Sequence, residues 1–260
     1  MRRSWLLFAV AMLIASGGVQ TASPTPVIVE LFTSEGCSDC PPADVLLDQL
    51  IAMPPLAGVE IIGLGQHVDY WDRQGWKDRF SSAALTNRQQ LYQTRFGTES
   101  IYTPQMVVDG RAEFVGSDAG AARRAIARSQ AAPHGVVKIA VSGAEPGRTV
   151  HVSVTASDLP GLGRGDRADL IVAVTESGLR TEVTRGENHG RTLTHAAVVR
   201  HMAAIGRVAS DGTAGASASA DIPLASDWQR DRLTIVAFVQ ELRGRTILAS
   251  ASVPLKNARP

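Results

Sequence analysis

The sequence predicts an α/β domain with the element order β-α-β-α-β-β-α, followed by an all-β, sandwich-like domain. Between residues 27 and 132, short apolar runs rich in β-branched residues alternate with stretches of helical periodicity. From residue 136 onward, short alternating runs separated by Gly, Pro and Asp take their place. We therefore predict one domain over residues 23–133 and a second over residues 134–260.

Residues 1–22 precede both domains and are typical of a secretory signal peptide. Two arginines near the start supply a positive region, an apolar run reaches Ile14, and small residues follow. The apolar run is short for a membrane span, and the sequence has no second run of spanning length. We expect cleavage after Gly17 or Ala22, a periplasmic or secreted protein, and no membrane span after cleavage. An uncleaved signal anchor is the alternative.

The elements of the first domain can be placed in order from periodicity and from stop signals. The proline at position 54 ends the first helix, and Ser81 or Ser82 can cap the second. Asp109-Gly110 is typical of a hairpin turn. The first strand, helix and strand imply a right-handed crossover between parallel neighbours. The predicted strands cover residues 27–32, 59–65, 103–108 and 113–115, and the helices cover 38–53, 81–96 and 119–129.

The second domain shows only strand-type patterns and turns. The clearest strands cover residues 136–141, 150–155, 170–175, 233–239 and 246–253. The stretch 213–220 is small and polar, and we interpret it as a loop. Glu187, Asn188 and Arg191 are interpreted as a polar turn at the domain interface. His195 is interpreted as part of a half-exposed strand surface.

Cys37 and Cys40 are the only cysteines, and they lie where the first strand turns into the first helix. Unpaired N–H groups and the helix dipole stabilise a thiolate at such a place. Pro41 and Pro42 suit the first turn of a helix. The pair can form a redox-active disulfide, an inert structural disulfide or part of a metal site. A bridge across one helical turn constrains the unfolded chain little, which favours the redox role.

Several segments resemble a bacterial family of secreted proteins that has an N-terminal thioredoxin-like domain and no settled function. The segments are ELFTSEGC (30–37), CPPAD (40–44), HVDYWD (67–72), YTPQMVVDG (102–110) and GENHGRTL (186–193). The resemblance implies a thioredoxin-like fold for the α/β domain. It also implies that Cys37 attacks, that Cys40 resolves the mixed disulfide, and that Pro104 is a cis-proline facing the cysteines. The backbone of Thr103 would then be available to pair with an extended substrate.

A polar and aromatic loop follows the second strand and forms a candidate wall of the active-site cleft. Ligands bind at the carboxyl ends of parallel strands, and the cysteines follow such an end as well. His67 or Asp69 is a candidate proton carrier, and Tyr70 and Trp71 are candidate cleft residues. The alternative is that the aromatic side chains only pack the loop onto the sheet.

Two carboxylates, Glu35 and Asp39, lie beside the cysteines in the sequence. Negative charge near a developing thiolate opposes its formation and partly offsets the helix dipole. A less stabilised thiolate makes a less stable reduced form. The sequence therefore predicts a redox pair on the reducing side of strong disulfide donors.

These observations lead to the hypothesis of an exported thiol–disulfide oxidoreductase that exchanges the Cys37–Cys40 disulfide with protein or small thiols. It needs no cofactor beyond that disulfide, and a cell-envelope protein is the expected partner of the β-domain. One alternative is a non-catalytic cell-envelope binding protein on a thioredoxin-like scaffold. Another is a copper(I)-handling protein, with His67 as a further ligand. A net charge of +1 and the lack of a basic run argue against nucleic-acid binding.

Overall fold

The computed structural model describes residues 23–143, 149–208 and 215–257, so the signal-peptide prediction for residues 1–22 lies outside the described residues. Strands dominate this part of the chain. The strands are β1 (Thr25–Thr33), β2 (Val59–His67), β3 (Gln105–Val108), β4 (Ala112–Val115), β5 (Val136–Ser142), β6 (Thr149–Ser157), β7 (Ala168–Glu176), β8 (Leu179–Glu182), β9 (Thr192–His195), β10 (Val198–Val208), β11 (Ala216–Pro223), β12 (Leu233–Glu241) and β13 (Ile247–Pro254). The α-helices are α1 (Pro41–Ala52), α2 (Ala83–Phe96) and α3 (Ala119–Gln130).

One mixed sheet runs through both halves of the chain. Its eight strands follow the order β13-β12-β7-β10-β2-β1-β3-β4. β1 pairs in parallel with β2 and antiparallel with β3, and β2 pairs in parallel with β10. A three-stranded sheet, β11-β6-β5, and the hairpin β8-β9 complete the strands of the described residues.

The predicted fold class, a thioredoxin-like α/β domain followed by a separate all-β, sandwich-like domain, is wrong. The protein is mostly β, and its α/β and all-β segments share the eight-stranded sheet. The physical reason is that β2 does not end the first sheet. β10 pairs with its outer edge, and β7, β12 and β13 continue the sheet beyond it. The boundary between residues 133 and 134 stays a prediction.

Two glycines of β2, Gly63 and Gly65, allow β10 and the residues before it to lie against β2. The N–H of Gly65 donates to the carbonyl of Ala197 at 2.7 Å. A Cβ on Gly65 would lie 3.1 Å from the carbonyl oxygen of Ala196, and one on Gly63 would lie 3.2 Å from Ala197 Cβ. Glycine therefore lets the residues before β10 approach the backbone of β2 closely.

Most individual elements lie where the sequence places them. The predicted strands and helices of the first 130 residues correspond to β1 to β4 and α1 to α3, and the five strands expected later correspond to β5, β6, β7, β12 and β13. Ser82 caps α2, since its side chain accepts from the N–H of Ala84. The loop prediction for 213–220 is wrong over residues 216–220, because β11 (Ala216–Pro223) pairs along β6; residues 213 and 214 of that prediction lie outside the described residues. The sequence analysis also missed β8, β9 and β10.

Both faces of the sheet are covered. Val27, Val29 and Leu31 on one face of β1 pack against α1 and α3. Ile28 on the other face belongs to a cluster that includes Leu85 of α2 and residues of β7 and β12. The three-stranded sheet packs against the remaining face of β7 and β12. None of the helices in the described part of the chain has the length and apolar character to span a membrane.

A fully buried carboxylate, Glu30, lies on the central strand β1. Arg88 of α2 holds it with two hydrogen bonds, from Nε at 2.6 Å and from Nη2 at 2.9 Å. Tyr92 and Gln66 also donate to Glu30. Burial alone would raise the pKa of Glu30, but the Arg88 guanidinium and these hydrogen bonds hold it below its ordinary value. The carboxylate is therefore charged inside the protein.

The same network reaches the second half of the chain. Arg88 Nη1 donates to Gln240 Oε1 of β12 at 2.9 Å, and Gln240 Nε2 donates to the Tyr92 hydroxyl at 2.8 Å. This buried polar network connects β1, α2 and β12.

We expect Arg88→Met to destabilise the protein by about 3–5 kcal/mol, because it leaves the buried Glu30 carboxylate without its countercharge. Urea unfolding at neutral pH measures the change. Arg124→Met, at an exposed position on α3, is the control and should stay within about 0.5 kcal/mol of the parent. Equal stabilities of the two variants would contradict the role of the ion pair.

Candidate functional site

The Cys37–Cys40 disulfide lies at the N-terminus of α1. Cys40 is the N-cap residue, and Pro41 and Pro42 occupy the first turn. The N–H groups of Ala43 and Asp44 donate to the Cys40 carbonyl at 2.9 and 3.1 Å. Cys37 is only 1% exposed and Cys40 is fully buried. The accessible sulfur that exchange requires is therefore covered in this conformation.

Residues 186–191 form a tight turn between β8 and β9 that lies against the cysteine loop; we call it the 186–191 turn. Its buried Asn188 donates from Nδ2 to the carbonyl oxygens of Glu35 and Cys37, both at 2.9 Å. The carboxylate of Glu187 accepts from the N–H of Ser38 at 3.2 Å. Arg191 donates to Asn188 Oδ1 at 3.0 Å. The predicted polar turn is confirmed, and it lies directly on the cysteine loop.

Pro104 and the start of α1 lie next to each other. The Thr103–Pro104 peptide bond is cis, as the resemblance implies. A Cβ placed on Gly116 would lie 3.0 Å from Pro104 Cβ and 3.1 Å from Ala43 Cβ. The absence of a side chain at Gly116 thus lets the proline and the first turn of α1 come together.

Trp71 connects the proline loop to the residue before the disulfide. Its indole N–H donates to Thr103 Oγ1 at 2.8 Å. Its Cβ lies 3.2 Å from the position of a Cβ on Gly36. The structure therefore brings together Cys37, Cys40, Trp71, Thr103 and Pro104, which the sequence analysis assigned to one site.

A cluster of buried ionisable side chains lies behind the disulfide. Trp76 donates to Glu35 Oε2 at 2.8 Å, and the Glu35 N–H donates to Asp78 Oδ2 at 2.9 Å. His67 Nδ1 lies 2.6 Å from the same Asp78 oxygen. The His67 ring contacts the His195 ring edge-on, with centroids 4.8 Å apart. Glu35, Asp78, His67 and His195 are all buried.

Two members of the cluster, Glu35 and His195, have buried side-chain atoms that find no hydrogen-bond partner among the described residues. Glu35 Oε1 and both ring nitrogens of His195 are buried without a hydrogen bond. His195 Nε2 lies 3.4 Å from Glu35 Oε1, which is near enough for charge interaction but does not have hydrogen-bond geometry. Such unpaired groups in a protein interior cost free energy, so they mark this cluster as unlike an ordinary core.

Asp78 of the cluster and Asp44, a buried carboxyl group of α1 that interacts with it, have opposite pKa shifts. Burial alone would raise the pKa of Asp78, but His67 and two backbone N–H groups hold it below its ordinary value. Burial raises the pKa of Asp44 to about 7. The neighbouring carboxylates Asp78 and Glu35 also raise the pKa of Asp44. His195 and a hydrogen bond from Thr33 lower it, each by less than burial raises it.

Three residues that the sequence analysis assigned to the cleft either contact α2 or are exposed to solvent. Asp69 is engaged with α2, because its N–H and its carboxylate both bond to Thr86 Oγ1. Tyr70 donates to Gln89 of α2 at 3.3 Å, and burial raises its pKa to about 12. Asp39 is exposed, so solvent screens its charge.

The sequence analysis did not assign four residues that surround the disulfide to the candidate site: Asp44, Asp78, Asn188 and His195. Asp44 and Asn188 lie in segments on which the family resemblance rests, and that was the available signal. The interpretation of His195 as half-exposed is wrong, because β9 packs it under the cysteine loop, 4% exposed. Asp78 follows a loop without periodicity, and no pattern in the sequence distinguishes it.

The site can support thiol–disulfide chemistry through its own residues. It combines a disulfide at a helix N-terminus, a neighbouring cis-proline and a buried carboxyl group with a pKa near neutrality. In the described residues, no group of three or more His, Cys, Asp or Glu side chains is arranged to hold a metal ion.

Comparisons with known proteins give a family and a fold. Residues 28–240 match the family described as "Protein of unknown function (DUF1223)". No curated protein matches significantly. A crystal structure of an Agrobacterium tumefaciens protein has a TM-score of 0.66 and 24% identity, over 92% of this chain and 98% of that one. HBP35 of Porphyromonas gingivalis has a TM-score of 0.65 and 17% identity, over 92% of this chain and 78% of its own. At these identities the two structures are similar in fold alone.

We expect Asp44→Asn to stabilise the protein at pH 8 and to have little effect at pH 4. Between pH 3.8, the ordinary pKa, and about 7, the folded state holds a proton that the unfolded chain has lost. The free energy of unfolding therefore falls as pH rises through this range, by up to about 4 kcal/mol. Urea unfolding from pH 4 to 8 measures the slope.

The control for this prediction is Asp48→Asn, at an exposed position one turn further along α1. It should leave the pH dependence of unfolding unchanged. A pH profile of Asp44→Asn that runs parallel to that of the parent would show that Asp44 is not the group responsible.

Proposed function

The chain belongs to the DUF1223 family of proteins of unknown function, and we propose that this member is an exported protein that exchanges its Cys37–Cys40 disulfide with thiols. The substrates are cysteine-containing proteins or small thiols. The observation that carries the proposal is the disulfide at the N-terminus of α1 beside the cis Thr103–Pro104 bond. The likeness to thioredoxin-like proteins enters here only as a likeness of this site, because the whole fold differs.

The exchange proceeds in two displacement steps. A substrate thiolate attacks Cys37 Sγ, the Cys37–Cys40 bond breaks, and Cys40 leaves as a thiolate. A second substrate thiolate then attacks the substrate sulfur of the mixed disulfide, and Cys37 leaves. Two substrate thiols are oxidised to a disulfide, and the pair is reduced by two electrons. The reverse sequence, with Cys37 attacking a substrate disulfide, reduces the substrate instead.

The surroundings of the pair favour the leaving thiolate. Cys40 occupies the N-cap of α1, where the helix dipole stabilises negative charge. The Asp44 carboxyl, one turn along the same helix, has a pKa near neutrality because it is buried. It can therefore hold or release a proton at the pH at which exchange takes place.

The covered disulfide requires an opening step. The hydrogen bonds of Asn188 to Glu35 and Cys37 must break before a substrate sulfur can approach Cys37 in line with the disulfide bond. The 186–191 turn belongs to the two-stranded hairpin β8-β9, which is separate from the large sheet. We propose that opening is a local movement of this turn away from the cysteine loop, while the buried residues of the hairpin stay in place.

A structural disulfide is the second candidate, and the burial of Cys37 favours it. In this case the bridge would fix the loop that receives Asn188 and Glu187 and would never be reduced in the cell. The two candidates differ in the state of the cysteines in living cells and in activity towards a disulfide substrate.

Export and a cell-envelope partner complete the proposal. The N-terminal 22 residues have the charge and apolar pattern of a signal peptide, and an oxidising compartment allows the disulfide to persist. The strand-rich second half of the chain is the segment that we propose for contact with a protein of the cell envelope.

We expect the purified protein to accelerate the reduction of insulin by dithiothreitol, measured as the onset of turbidity. Cys37→Ser should lower the rate to that of dithiothreitol alone, because the attacking sulfur is lost. Cys40→Ser should accumulate a mixed disulfide through Cys37, detectable by mass spectrometry. Absence of any acceleration by the parent, together with complete oxidation of the pair in cells by thiol trapping, would falsify exchange and support the structural disulfide.

We expect Asn188→Ala to make the disulfide react with dithiothreitol about tenfold faster or more, because two hydrogen bonds that hold the cover closed are lost. Quenched-flow alkylation followed by mass spectrometry gives the rate. His189→Ala, at the exposed neighbouring position of the same turn, is the control and should react like the parent. Identical rates for all three proteins would mean that the turn does not limit access.

A further inference from the structure

A cleft lined by arginines adjoins Phe80, whose ring also contacts the buried histidines. Two adjoining hollows, with cavity volumes of about 330 and 480 Å³, share Arg79, Phe80 and Arg200. Phe80 packs edge-on against His67 and His195. The volumes are in the range of small-molecule sites, which is about 300–1,000 Å³.

The larger hollow is positively charged. Its described lining contains four arginines, from four separate segments, and two carboxylates, which leaves a formal charge of +2. The arginines are Arg79, Arg180, Arg200 and Arg232, and the carboxylates are Glu176 and Asp227. Convergence of arginines from distant parts of the chain is a common way to build a site for carboxylate or phosphate groups.

Arg200 is held in a fixed position at the floor of the cleft. Its Nη1 donates to the buried Glu176 carboxylate at 2.7 Å. Its guanidinium carbon lies 5.2 Å from the centre of the Phe80 ring and 5.1 Å from that of Trp228. The cation is thus stacked between two aromatic rings and loses little further freedom when a ligand binds.

Arg79 and Arg232 are exposed at the cleft, and in the part of the chain that the structure describes neither has a carboxylate oxygen within 4.0 Å of its guanidinium nitrogens. Arg79 Nη2 donates to the carbonyl of Arg180 at 2.9 Å, and Arg232 Nη1 donates to the carbonyl of Gly178 at 3.0 Å. These neutral carbonyls orient each guanidinium without cancelling its charge. Asp227, the carboxylate on the rim, is exposed and lies 3.8 Å from Arg200 rather than from either of these two.

We propose that this cleft binds a small organic or inorganic anion that carries at least two negative charges on carboxylate or phosphate groups. Arg79 and Arg232 bind the ligand's oxygens at the entrance, and Arg200 supplies a fixed donor at the floor. The site is independent of the disulfide chemistry, because none of these residues contacts the cysteines.

Isothermal titration of the full chain after residue 22, at constant ionic strength, tests the proposal with two probes, citrate and pyrophosphate. We expect saturable binding of at least one of them, with a dissociation constant below about 1 mM. Binding of citrate alone identifies carboxylates as the ligand groups, and binding of pyrophosphate alone identifies phosphates.

The double variant Arg79→Gln/Arg232→Gln should weaken binding by about tenfold or more, because two charge-assisted contacts are lost. Arg123→Gln/Arg124→Gln on α3 has the same change in net charge at exposed positions and is the matched control, expected to bind like the parent. Unfolding midpoints confirm that both variants are folded. The proposal is overturned if neither probe saturates, if both double variants weaken binding equally, or if only an acidic peptide such as oligoglutamate binds.

Discussion

The buried charge of Glu30 is the constraint on which the rest of the structure depends. A carboxylate inside the central strand can be tolerated only where a cation and several donors surround it. Arg88 and Tyr92 of α2 supply part of that surrounding, and Gln240 of β12 orients Arg88 from the second half of the chain. The charge therefore requires α2 and β12 to occupy fixed places against β1. The continuous sheet through both halves is one consequence.

The candidate site is also built from residues of both halves of the chain. Cys37, Cys40 and Pro104 come from the first half, whereas Asn188 and His195 come from the second. An isolated N-terminal half would leave the carbonyls of Glu35 and Cys37 without the Asn188 amide. It would also leave Glu35 without the neighbouring imidazole. The environment of the disulfide is thus set by residues far from it in sequence.

Local features of the fold could be predicted from the sequence, and long-range pairings could not. Strands such as β1 and β12 consist mainly of apolar and β-branched residues, and α1 is bounded by prolines, so their own residues identify them. β10 has register shifts near His201 and Ile205, which break the alternation that identifies a strand. The first five residues of β11 are Ala and Ser, which carry little strand signal, and the segment is a strand because β6 pairs with it. For the site, the cysteines and the proline were visible as motifs. The partners Asp78 and His195 were not, because only tertiary contacts give them their role.

The cysteines are synthesised well before the 186–191 turn that packs on their loop. Asn188 follows Cys37 by 151 residues, and Glu187 follows Ser38 by 149. Because a chain emerges from its N-terminus first, both sulfurs are available to oxidants long before their cover is made. An oxidant that acts before folding is complete can therefore reach both thiols directly. In the folded protein the disulfide is buried, so the same pair is accessible before folding and inaccessible after it.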